Sequence, residues 1–257
     1  VALMQRLLAP GGCPWDREQT FGSLKRYVLE EACEVIDAIE ADDRELLVEE
    51  LGDLALQVVF LGELLRREGK YGPDDVVRGI VDKLVRRHPH VFGEVEVSGS
   101  EEVLRNWENI KANEKQGRGI LDGVPRSLPA LYRAQRMSEK VSRVGFDWPD
   151  PSGSRDKVSE EVRELDEAIA TGDAERIEHE LGDLLFSLVN LARHQKVDAE
   201  TALRKAGDRF RDRFAHVEAR VREKHGGWPV GEDGKPGHGL GLEELDGYWD
   251  EAKRGGA

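Results

Sequence analysis

Two pairs of acidic residues recur in this chain with one spacing, and that recurrence constrains the fold more than any other feature. Glu31 and Glu34 precede Glu50 and Asp53, and Glu161 and Glu164 precede Glu180 and Asp183. In each copy 19 residues separate the first acid of one pair from the first acid of the next, and a glycine (Gly52, Gly182) stands inside the second pair. Self-similarity of this kind means two homologous units. Apolar residues recur every three or four positions at Leu51, Leu54, Val58, Leu61 and Leu65, and again at Leu181, Leu184, Leu188 and Leu191. That period predicts helices with one buried face.

Each unit reads as a helix ending near an acidic or glycine-containing turn (ADDR after Ile39, TGD after Ala170), then the glycine-bearing helix, then a third helix at about 74–87 or 199–224. Gly117, Gly119, Gly123, Pro125 and Pro129 punctuate the chain between an N-terminal unit, 1–120, and a C-terminal unit, 121–257. A glycine-rich stretch, HGGWPVGEDGKPGHGLG, precedes a terminal helical segment, LEELDGYWDEAKR. That stretch reads as a flexible tether. Alternation typical of a strand is confined to VFGEVEV, so the fold class is all-α, with tandem helical bundles.

Charged residues make up 35% of the chain and hydrophobic ones 39%, the balance of a soluble helical protein. A formal net charge of −14 opposes general binding to nucleic acid, although residues 204–224 are locally basic. No apolar run reaches the roughly 20 residues of a membrane helix. The start, VALMQRLLAPGGC, lacks a signal-peptide pattern, and the valine at position 1 points to a start upstream. Cys13 and Cys33 alone make no disulfide framework, which favours a reducing cytoplasm. Cys33 is expected to be inert core.

Residues three apart share a helical face, so each acidic pair points one way. A short connection makes the two helices antiparallel neighbours, and the four acids converge. Converging carboxylates repel unless cations sit between them, and hard oxygen donors suit Mg²⁺, with Mn²⁺ as a substitute. A mid-helix glycine costs about 1 kcal/mol relative to alanine, so Gly52 and Gly182 suggest close approach of a backbone or ligand. A di-iron bundle would need Glu-x-x-His pairs, and none of the seven histidines has Glu three residues before it. The chain also has no GxxxxGK[ST] phosphate loop. His88 and His90 lack ligand spacing and read as structural or rim residues, and Trp15 and Trp148 as helix-tip packing.

The ordered set CPWDREQTF, EEACEVIDAI, EELGDL, RRHPHVFG, GVPRSLPAL, VGFDW, EEVRELDEAI, HELGDLLFSLVNLARH and RFRDRFAHVE closely resembles the MazG family of nucleoside triphosphate pyrophosphohydrolases over nearly the whole chain. The resemblance implies the all-α NTP pyrophosphatase fold, a homodimer, and Mg²⁺-dependent hydrolysis of (d)NTPs to monophosphate and pyrophosphate. It further implies a cytoplasmic, nucleotide-clearing role. Carried over by position, metal ligands fall on Glu161, Glu164, Glu180 and Asp183, and nucleotide-contacting residues on Lys157, Arg209, Arg213, Trp249 and Lys253. His179 and Gly207 depart from the family pattern, at a frequent acid and at the KAN-type motif.

The residues themselves fit phosphoanhydride hydrolysis. A triphosphate and four carboxylates repel, so cations must mediate binding. Metal ions would polarise the phosphoryl group and acidify the attacking water, with Glu161 or Glu164 as general base. Arg209 and Arg213, four apart, suit phosphate oxygens, and Lys157 lies one turn before Glu161. The first copy keeps Glu31, Glu34, Glu50 and Asp53, with Lys83 and Arg87 matching the arginine pair. Tyr27 replaces Lys157, and no tryptophan-bearing tail directly follows the third helix, so most activity is expected in the second copy. Trp249 and Lys253 make the terminal helix either a mobile clamp or a docked helix anchored by Trp249. A second class of function, a helical dimerisation or nucleotide-sensing module with little turnover, would share these features without releasing pyrophosphate.

Overall fold

The two turns of the repeat are built alike. Asp43 and Asp173 each accept from two successive backbone N–H groups opening the helix that follows. That is the N-cap role for which a short acidic side chain is suited. The residue before each cap is left-handed, at φ 70° for Gly172 and 55° for Asp42. Glycine takes this conformation freely, and aspartate is among the few side chains that tolerate it.

The computed structural model describes residues 1–114, 117, 119–231, 235 and 239–255, with 108, 109 and 111–113 described in backbone only. Residues 232–234 and 236–238 of the glycine-rich stretch, expected to be a tether, lie outside the described residues. The chain divides into two units, Val1–Gln116 and Gly117–Ala257. The first contains α1 (Ala2–Leu8), α2 (Pro14–Glu18), α3 (Phe21–Glu40), α4 (Arg44–Arg67), α5 (Pro73–Arg87), α6 (Pro89–Phe92) and α7 (Ser100–Asn113). The second contains α8 (Ala130–Ser142), α9 (Pro151–Thr171), α10 (Ala174–His194), α11 (Ala199–His225) and α12 (Leu242–Arg254). The fold is all-α, and among the described residues no strand forms, VFGEVEV included.

Hairpins α3–α4 and α9–α10 form the centre of each unit. In the first, Met4 and Leu8 of α1 join Leu24, Phe60 and Leu64 in a buried cluster. In the second, Val217 and Val221 of α11 enclose Tyr248 of α12. Close approach does occur at a glycine, but at Gly62. A Cβ there would come within 3.0 Å of Pro73, which starts α5. At Gly52 and Gly182 a Cβ would meet nothing within 4 Å among the described residues, so of the two neighbours expected there, a backbone or a ligand, the backbone is not found.

The apolar face expected to be buried is only half covered. Leu51 and Val58 are 48% and 50% exposed, and their counterparts Leu181 and Leu188 are 46% and 44% exposed. In each hairpin the rest of the stripe, Leu54, Leu61 and Leu65 or Leu184 and Leu191, is half-buried, and the open positions match between the two. Cys33 is likewise exposed rather than core, because it sits on α3 away from the buried Leu24 and Ala38.

Candidate active site

In the second unit, α9 carries Glu161 and Glu164 on one face, and α10 turns Glu180 toward them. Ligand-type oxygens of these three residues lie within 4.8 Å of one another, and Asp183 joins Glu180 and His179 in an overlapping group of the same span. Glu161 is 3% exposed, and its Oε2 is buried without a hydrogen-bond partner. Burial, followed by the neighbouring Glu161, raises the Glu164 carboxyl above its usual value. His179, at the position where the resemblance expects an acid, holds Nδ1 3.3 Å from Asp183 and so keeps a donor there.

Lys157 enters this group from one turn upstream. Its Nζ lies 2.8 Å from Glu160 and 2.7 Å from Glu161. Hydrogen bonds to Glu160 and then Glu161 raise its pKa further, so it stays charged. Lys157 therefore answers part of the carboxylate charge itself.

The first unit repeats the arrangement with Glu31, Glu50 and Asp53, again within 4.8 Å. Burial raises the Glu31 carboxyl first, with Asp53 and Glu34 adding to it. Burial and then Glu34 do the same at Glu50. In place of the lysine, Tyr27 lies under the Arg26 guanidinium and edge-on to Trp15 at 6.0 Å. Gln57 donates to Glu31 at 3.3 Å.

Cations and aromatic rings of the second unit gather on α11 and α12. The Arg213 guanidinium lies 5.9 Å from the Trp249 ring centre, within cation–π range. Phe210 lies 5.1 Å from the same ring. The buried anchor of α12 is Tyr248, not Trp249. It is 2% exposed, whereas Trp249 is half-buried. Lys253 pairs with Asp250 at 3.1 Å, and Arg209 and Gly207 are exposed.

No tryptophan-bearing tail directly follows the first unit's third helix, but one stands beyond α6. Helix α7 brings Trp107 to 5.7 Å from the Arg87 guanidinium, the counterpart of Trp249 against Arg213. A gapless register was available to find it. EEVLRNWENIK from Glu101 aligns with EELDGYWDEAK from Glu243, pairing Trp107 with Trp249 and Lys111 with Lys253. The tail follows Arg87 by 20 residues and Arg213 by 36, which hides the correspondence.

Of the other residues, Trp148 lines a groove of about 480 Å³ with Phe146, Met137 and Phe186. It lies over Gly153, where a Cβ would collide with its ring. Asp147 takes a fork of hydrogen bonds from Arg193 at 2.8 and 2.6 Å, which lowers its pKa. The His88 ring bonds the Leu84 carbonyl at 2.7 Å, a structural role.

The donor set suits a hard divalent cation: clustered carboxylate oxygens, one of them buried and unpartnered. The family model described as the MazG nucleotide pyrophosphohydrolase domain matches residues 19–92 and 151–218, which take in the α3–α4 hairpin with all of α5 and α6, and the α9–α10 hairpin with most of α11. The chain is 44% identical over 260 residues to the nucleoside triphosphate pyrophosphohydrolase of Escherichia coli strain K12, spanning 99% of this chain and 95% of that one. It is 43% identical to the nucleoside triphosphate pyrophosphohydrolase/pyrophosphatase MazG of Thermotoga maritima, over 99% and 94% of the two chains. An uncharacterized Bacillus subtilis protein, YabN, is 42% identical over 98% of this chain and 50% of its own length.

Proposed function

Because this chain belongs to the MazG nucleotide pyrophosphohydrolase family and is a nucleoside triphosphate pyrophosphohydrolase, we propose that its turnover is Mg²⁺-dependent and centred on the second unit's carboxylates. The single observation carrying this reading is the Glu161, Glu164 and Glu180 cluster, with a buried Glu161 oxygen that no protein group answers. Glu161, Glu164, Glu180 and Asp183 would hold the metal, and in the first unit Glu31, Glu34, Glu50 and Asp53. When bound, Mg²⁺ supplies charge neutralisation and Lewis acidity at the phosphates, and Mn²⁺ is a chemical substitute.

The chain's own residues would do the rest. Glu164 accepts the proton of the attacking water, a role favoured by its partial exposure and raised pKa. Glu161, the other candidate base, is held by Lys157. Attack at the α-phosphorus breaks the α–β anhydride and gives a nucleoside monophosphate and pyrophosphate. Arg213 and Arg209 offer charge-assisted hydrogen bonds to phosphate oxygens. Trp249 offers a stacking ring, and Lys253 and Lys157 further cations.

The substrates proposed are (d)NTPs, and the role is clearing of the nucleotide pool. The two free cysteines fit a cytoplasmic setting, and no described helix is long and apolar enough to cross a membrane. The half-open stripe of α4 and α10 supports a homodimer. The test is release of pyrophosphate from a mixed (d)NTP panel with and without Mg²⁺. Metal-dependent release is expected; nucleotide binding with no release at any metal concentration would instead support a sensing module.

A further inference from the structure

Two donor groups adjoin on α10 of the second unit, and they differ in chemistry. Glu180 belongs to both: to the carboxylate group with Glu161 and Glu164, and to a group with His179 and Asp183. In the second group a ring nitrogen and two carboxylate oxygens lie within 4.8 Å of one another. His179 Nδ1 is 3.3 Å from Asp183 Oδ2 and 3.8 Å from Glu180 Oε2. Arg176 Nε lies 3.8 Å from the other oxygen of Glu180, Oε1. His179 and Asp183 are four apart on one helical face, the spacing at which two side chains of a helix can hold one metal ion.

Left to itself this arrangement gains little. The side chains of His179 and Asp183 are 71% and 52% exposed, and an exposed pair contributes little stability. With its proton on Nε2, a neutral imidazole turns a lone pair at Nδ1 toward the two carboxylates, and a shared cation reconciles the three donors. On the far side of Glu180 stands the buried Glu161 oxygen that no described group answers. The first unit differs at the matching position, where Glu49 replaces the histidine. Its own group, Glu31, Glu50 and Asp53, offers oxygen alone.

We propose that His179, Glu180 and Asp183 form a mixed-donor metal position beside the all-carboxylate one, and that it selects a first-row transition dication such as Mn²⁺ over Mg²⁺. A nitrogen donor raises affinity for such ions, whereas Mg²⁺ keeps to carboxylates and water. The first unit, with Glu49 in place of the imidazole, lacks that selectivity. This rests on the metal reading of the carboxylate cluster given above, and adds to it one ligand and one preference.

The test uses the full chain with the first unit's cluster disabled by Glu50→Gln and Asp53→Asn. Mn²⁺ is titrated in a large excess of Mg²⁺, and the bound ion is counted from the loss of the free Mn²⁺ signal in electron paramagnetic resonance. Pulsed measurement of nitrogen coupling then reads the ligands. A bound Mn²⁺ with nitrogen coupling is expected. His179→Glu and His179→Gln should each remove the coupling and lower the preference for Mn²⁺ over Mg²⁺ by about tenfold, with helical circular dichroism unchanged. Mn²⁺ bound without nitrogen coupling, or coupling that persists in both His179 variants, overturns the histidine as a ligand. Coupling lost with the preference unchanged overturns the selectivity. Mn²⁺ and Mg²⁺ affinities unmoved by Glu161→Gln with Glu164→Gln would overturn the carboxylate reading instead, so the failures are distinguishable.

Discussion

Glu161 carries a buried oxygen without a partner, and an unmet buried acceptor costs about 1–3 kcal/mol. The chain tolerates that cost where a cation would remove it. Glu180→Gln or Asp183→Asn should therefore cut pyrophosphate release by on the order of a hundredfold or more while the circular dichroism of the helices is unchanged. The melting temperature without Mg²⁺ should hold or rise, because repulsion is relieved. Wild-type turnover with unchanged metal content would refute the ligand assignment. In the first unit the Glu114 carboxyl is lowered to about 2 by hydrogen bonds from Arg87 and Arg86. A folded pKa below the ordinary 4.5 adds stability above that value, and loses it as pH falls from 4.5 toward 2. The difference in melting temperature between the unaltered chain and Glu114→Gln should shrink across that acid window, and a constant difference would sink the pairing.

At the scale of elements, the terminal helix is docked rather than free. Tyr248 is enclosed by Val217 and Val221, with Lys224 over its ring at 4.7 Å. Tyr248→Ala should lower the stability of the second unit by about 3 kcal/mol, with or without nucleotide. A clamp that orders only on substrate would instead raise KM while leaving the nucleotide-free melting temperature unchanged. Hydrogen exchange of 242–254 with and without a non-hydrolysable NTP and Mg²⁺ measures both. The third helices were legible almost to the residue: Pro73 opens α5, and Asp198 caps α11. Helix α7 escapes a search directly after the third helix because α6 stands between them. At Gly52 and Gly182 the sequence offered a backbone or a ligand as the close neighbour: a missing Cβ signals room for something, and among the described residues the chain does not fill it.

For the whole molecule, the acidic repeat declared two units and the carboxylate convergence within each. What it could not declare is which apolar edge each hairpin covers, because a helical period records burial without naming the partner. Leu51, Val58, Leu181 and Leu188 thus read as core in sequence and stand half-open in the folded chain. In the proposed homodimer these stripes are the contact. Leu51→Lys with Val58→Lys and Leu181→Lys with Leu188→Lys, all four together, should give a monomer by sedimentation; an unchanged sedimentation coefficient would place the contact elsewhere. Each chain carries the stripe twice, and that makes it bivalent. Two copies that satisfy both stripes at once close into a finite pair, whereas copies joined through one stripe each leave a sticky end and grow. Lysines in one hairpin alone then act as a chain terminator: a species larger than two copies in the unaltered chain that falls to two under that change would reveal growth through single stripes.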